Sequence, residues 1–235
     1  MKWLKKFKPH EIVLWSISCV LILASYLIFD RSAPLALCAS LLGSTAIIFC
    51  AKGIFMGQIF MIIFSILYGI ISYKTAYYGE MITYLGMTLP MSVASLISWL
   101  THPYEGEETQ VRISRLKPRD YIITLFLTMI VTIIFYFVLK HLGTASILIS
   151  TISIATSFSA AYLTYRRSPY FSLCYAANDV VLIALWISAA VHDIKLVSVV
   201  VCFVTFLAND VYSYICWQKG LKEQQKEHVC VTAEQ

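Results

Sequence analysis

The run VVLIALWISAAV, Val180–Val191, holds one hydroxyl and no charge, and its apolar residues neither alternate as in a strand nor gather on one face. A strand of a membrane barrel covers about 10 residues with strict alternation. This stretch is too long and too uniform for that, and it extends to 169–190, within the ~20 residues a helix needs to cross a bilayer. It reads as a membrane-spanning helix, apolar all round because lipid or other helices surround it.

The rest of the chain agrees. Of its 235 residues 59% are hydrophobic and 13% charged, with a mean hydropathy of +0.75, more apolar surface than a water-soluble core of this size can bury. Eight stretches qualify as spans, numbered helices 1–8: 12–29, 34–51, 54–73, 81–100, 121–139, 145–165, 169–190 and 195–217. Helix 1 follows a basic start, as a signal peptide would. It is longer than a usual signal core and ends in FDRSAP without a small-x-small cleavage site, so it reads as a retained helix. The seven cysteines lie mostly within spans with no CxxC pair, which points to apolar fillers and not to disulfides or a metal site.

Cations set the orientation. With a cytoplasmic N-terminus, inside segments carry fourteen of the 18 Lys and Arg, including Lys2, Lys5, Lys6, Lys8, Lys52, Arg166 and Arg167. Arg31, Lys74, Lys140 and Lys195 fall outside. The positive-inside rule thus expects both termini in the cytoplasm, as an even number of spans requires. Topology accounts for the net charge of +5, and no basic stripe with interleaved aromatics calls for nucleic acid.

Connections are short except 101–119, THPYEGEETQVRISRLKPR, which reads as a loop without apolar periodicity. The expected organisation is an N-terminal helix (1–33), a three-helix unit (34–100), a cytoplasmic loop with a linker helix (101–143), a second three-helix unit (144–217) and a cytoplasmic tail (218–235). The fold class is therefore an all-α integral membrane protein: a lone first helix, then two parallel three-helix repeats joined by one inverting helix, a SWEET-like plan.

The tetrapeptide ANDV occurs at 177–180 and 208–211, each time inside a span. Asn178 is ~15 Å along helix 7 and Asn209 ~12 Å from the end of helix 8, at ~1.5 Å per residue. Both lie near mid-membrane, where polar groups are costly and face a partner or a wet cavity. Two antiparallel helices would bring them to one site. Asp179 and Asp210 follow directly, ~100° further around their helices, so a doublet cannot present both side chains equally. Gln58 and Tyr68 on helix 3, and Tyr84, Thr88 and Ser92 on helix 4, add hydrogen-bonding groups, as do Thr151, Thr156 and Ser157 on helix 6, a pattern that equally serves helix packing. Pro90 interrupts helix 4, either as a tolerated kink or as a break lining a cavity. Trp186 joins the binding candidates, while Trp217 reads as an interfacial anchor.

Residues 51–99, with AKG, LYGIISY, YGE and a helix with a central Pro, resemble the first repeat of the PnuC vitamin transporters. Residues 165–217, with RRSPYF, NDVVLIALW and NDVYSYICW, resemble the second. The resemblance implies facilitated diffusion of nicotinamide riboside by alternating access, driven by intracellular phosphorylation, in a bacterial inner membrane. It covers nearly the whole chain, and a homotrimer or a monomer is compatible with it. Asn178, Asn209, Tyr68, Gly79 and Glu80 match family positions. This chain departs from the family in PYFSLCY, where many members are Trp-rich, and in Tyr84, where an Asn often stands. Those changes bear on which vitamin is carried: thiamine, riboflavin and deoxyribonucleosides are carried by relatives.

The residues speak to the substrate as well. No Lys or Arg lies deep within a span, so a phosphorylated substrate would meet no cation. A pyridinium suits aromatic faces and a nearby Asp179 or Asp210, and Asn and Gln suit a carboxamide and ribose hydroxyls. Glu80 reads as a solvated interfacial acid. A proton-coupled carrier using Asp179 or Asp210 is the alternative mechanism. No catalytic motif, metal-ligand cluster or cofactor site is expected, since HExxH and GxSxG are absent and all five His lie at boundaries or in loops.

Overall fold

A computed structural model describes residues 7–74, 78–104, 107–144 and 146–233, with side-chain surroundings described except at 107–108 and 227–233. Lys2, Lys5 and Lys6 lie outside these residues, and the side chains of His228 and Cys230 outside the described side chains.

Eight helices are long and apolar enough to cross a membrane. They are α1 (Pro9–Phe29), α2 (Pro34–Ala51), α3 (Met56–Lys74), α4 (Tyr78–Leu100), α5 (Pro118–His141), α6 (Ile147–Tyr165), α7 (Phe171–Ala190) and α8 (Val197–Ala233). Proline begins α1, α2 and α5, where its missing N–H is no loss. Glu11 and Asp120 reach back to the backbone N–H of Lys8 and Lys117, at 2.7 and 2.8 Å, closing the first turns of α1 and α5. The last helix continues unbroken past Trp217 to Ala233, so the expected tail begins as helix.

Six helices close a ring: α2 packs on α3, α3 on α4, α4 on α6, α6 on α7, α7 on α8, and α8 back on α2. The first helix lies outside it, against α2 and α8, and α5 lies outside against α6. Both outer helices turn bare apolar side chains outward, among them Val20, Ile28, Ile122, Leu125 and Phe137. In water that surface would be unstable, and in a bilayer it is solvated by acyl chains.

The segment 101–119 is more structured than its composition announces. Strand β1 (Pro103–Tyr104) pairs antiparallel with β2 (Glu107–Val111), the departure from an all-helical chain among the described residues. The pairing is invisible to local patterning because it is completed by distant chain: Ile54 bridges Gln110, and Val111 N–H donates to Gly53 O at 2.9 Å. Ile54 and Val111 are both buried. Gly53 takes the left-handed conformation, φ 66°, which ends α2 and turns its carbonyl toward the strand.

Candidate functional site

A cavity runs inside the ring, from Gly79 and Thr144 at one end to Cys50, Thr164 and Phe171 at the other. Of the residues singled out in the sequence, Gln58, Tyr68, Tyr84, Thr88, Ser157, Asn178, Asp179, Trp186 and Asp210 line it. Ser92 and Asn209 are buried elsewhere.

Asn178 on α7 is fixed through its carbonyl oxygen, which accepts from Ser153 and Thr156 of α6, each at 2.9 Å. That leaves its amide N–H groups for the cavity. Asn209 is fully buried and points away. Its Nδ2 donates to Ser18 of α1 at 3.2 Å and to Ser44 of α2 at 3.3 Å. The two Asn therefore do not meet in one site. On α8 the residue ~100° further round, Asp210, faces the cavity instead. On α7 both members of the doublet line it.

Asp179 and Asp210, on helices that pack against each other, both line the cavity. Asp179 Oδ2 is buried without a hydrogen-bond partner. Glu80, expected as a solvated acid, is half-buried and lines the same cavity near Gly79. Among the described residues, three acids and no Lys, Arg or His form this lining.

Aromatic rings make one wall. Tyr68 and Tyr84 have ring centroids 4.8 Å apart, Phe64 stands 4.9 Å from Tyr68, and Phe206 is 6.2 Å from Phe64. Tyr84 and Thr88 reach the cavity because α4 contains a π turn, Tyr84–Thr88, in which Leu89 N–H bonds Tyr84 O. Pro90 follows at once, unable to donate, so the break anticipated at Pro90 lines the cavity. Phe171 and Tyr175 of α7 also line it, in the stretch where the sequence departs from the PnuC pattern.

Trp217 is no interfacial anchor. It is 2% exposed, its indole N–H donates to Cys50 O at 2.8 Å, and its ring packs on Trp99 and Phe171. Sequence depth alone could not separate a Trp at the lipid boundary from one at an inner helix end.

Comparison with known proteins adds to this geometry. Residues 33–219 match the family described as nicotinamide mononucleotide transporter. The chain is 26% identical over 217 residues to the nicotinamide riboside transporter PnuC of Neisseria mucosa, covering 91% of this chain and 82% of that protein. It is 20% identical over 217 residues to the nicotinamide riboside transporter PnuC of Haemophilus influenzae, covering 92% of each. A crystal structure of the vitamin B3 transporter PnuC aligns with a TM-score of 0.80 at 25% identity, over 93% of this chain and 94% of that one. The helical ring, its enclosed cavity and a family match over most of the length agree, and the chain belongs to the nicotinamide mononucleotide transporter family of membrane proteins.

Proposed function

We propose that the cavity binds nicotinamide riboside and passes it across a bacterial inner membrane by alternating access, as a facilitated-diffusion carrier. The observation that carries this reading is the cavity's acidic lining: among the described residues, Asp179, Asp210 and Glu80 line it with no basic residue. The orphan oxygen of Asp179 and the Tyr68–Tyr84 wall suit a pyridinium cation. Asn178 N–H groups and Gln58 suit a carboxamide and ribose hydroxyls. A mononucleotide would bring its phosphate against three carboxyl groups with no cation to meet it, so the unphosphorylated riboside is favoured despite the family's description. Both termini lie in the cytoplasm in this reading, supported by the clustering of cations on that face. Phosphorylation inside the cell then traps the product.

Thiamine is also a cation, and Phe171 and Tyr175 stand where the PnuC resemblance expects Trp, so a thermal-shift panel of nicotinamide riboside, its uncharged dihydro form, thiamine, riboflavin, deoxyribonucleosides and the mononucleotide identifies the cargo. The riboside should raise the melting temperature and the mononucleotide should not. In the Asp179→Asn variant affinity for the cation should fall about tenfold while that for the dihydro form holds. Equal loss for both forms would remove the charge from recognition. The presence of Asp179 and Asp210 in one cavity favours a second reading, a proton-coupled carrier. A homotrimer is tested by the mass of the detergent-purified protein.

A further inference from the structure

At the face that carries the start of α1 and the hairpin, the helix ends of the two three-helix units repeat one another atom for atom in their hydrogen bonding. In the α2–α3 turn, Gly53 N–H bonds Cys50 O at 2.9 Å and Ile54 N–H bonds Phe49 O at 3.0 Å. In the α6–α7 turn, Arg167 N–H bonds Thr164 O at 3.0 Å and Ser168 N–H bonds Leu163 O at 3.0 Å. Gly53 and Arg167 both hold positive φ, 66° and 57°. An arginine adopts that conformation at a cost, so something in the surrounding structure holds it there.

Two features answer to these twin turns. First, each unit ends in a tryptophan that caps the other unit: Trp217 Nε1 donates to Cys50 O at 2.8 Å, and Trp99 Nε1 donates to Thr164 O at 3.0 Å. The indoles meet between the units, centroids 5.5 Å apart, with each Trp 2% exposed. They sit where the cavity ends, since Cys50, Thr164 and Phe171 line it and Phe171 lies 4.8 Å from Trp217. Second, the chain leaving the hairpin is laid across both turns. Val111 N–H donates to Gly53 O and Ser114 N–H to Arg167 O, each at 2.9 Å, and Ile113 N–H donates to Gln224 of α8 at 3.0 Å.

We infer that Trp99 and Trp217 are the inner gate of the transport path, closed by their crossed hydrogen bonds and strapped by residues 111–114. This rests on the proposed transport path and its orientation. Opening requires the two units to part at this face, and parting them breaks both indole bonds and at least one of the two strap bonds. The indole pair and the strap therefore act as a single two-state closure. The units are covalently linked through the strap itself, which keeps it beside both turns for reclosing.

Cys50 supplies the readout, because its carbonyl is the Trp217 acceptor and its thiol is buried in the closed gate. In a chain whose other cysteines are replaced by Ala, a charged maleimide is added to either face of oriented vesicles. Trp217→Phe should raise Cys50 labelling from the N-terminal face about fivefold, the value of one lost hydrogen bond. Trp99→Phe, whose bond is to Thr164, should raise it similarly if the closure is one unit. Labelling from the opposite face should not rise. Val111→Pro and Ser114→Pro, which remove strap donors outside the membrane helices, should have the same one-sided effect and serve if a Trp variant fails to fold. Unchanged Cys50 labelling in the folded strap variants, or equal gains from both faces, would overturn the gate. The labelling does not depend on which vitamin is carried, so it fails or succeeds separately from the substrate assignment.

Discussion

Asn178→Leu removes the acceptor for Ser153 and Thr156 together with the N–H donors left for substrate. Thr156 also reaches the carbonyls of Ile152 and Ser153, so the helix pair loses little. The expected result is a rise of about tenfold or more in half-saturation for riboside uptake, with a nearly unchanged melting temperature. Asn209→Leu reverses this pattern. It strands Ser44 between α2 and α8 and costs about 1–3 kcal/mol, read as a lower melting temperature in detergent, while half-saturation of the folded fraction holds. Equal behaviour of the two variants would contradict the placement. The position of each Asn along its helix was legible, because rise per residue is local geometry. Their azimuth was not, because it depends on which neighbours the ring sets against each face.

Within α4, the π turn is one extra residue inserted into a regular helix. Deleting Gly86, which is exposed and where an added Cβ would meet only the Ile82 side chain, should restore an ordinary helix while keeping both flanking segments in register. Trp99 would keep its bond to Thr164, and Tyr84 and Thr88 would leave the cavity. Substrate-induced thermal stabilisation should then vanish while the protein still folds; retained stabilisation would show that the turn does not shape the site. Pro90 pointed to this break, since a helix interior without a donor needs an irregularity to accommodate it. The hairpin gave no comparable signal: β1 is two residues long, and its sheet is completed by Gly53 and Ile54 from another part of the chain.

Across the whole molecule, an acid-lined cavity without a cation suits a carrier moving its cargo down its own gradient. In liposomes, labelled riboside should equilibrate and never accumulate, with or without a pH gradient, until a riboside kinase and ATP are enclosed. Accumulation driven by external acid alone would assign a transported proton to the Asp179–Asp210 pair.

Hydropathy by itself determined the eight spans, and the Asn and Asp within them pointed to α7 and α8 as helices of the cavity, because burial of apolar length and the cost of a polar group in lipid are paid residue by residue. Only the tertiary structure decided that Asp210 and not Asn209 faces the cavity, that Glu80 turns inward, and that Trp217 reaches Cys50 rather than the lipid boundary. Each depends on rotation about a helix axis, and a span that is apolar on every side leaves that rotation free until its neighbours close the ring.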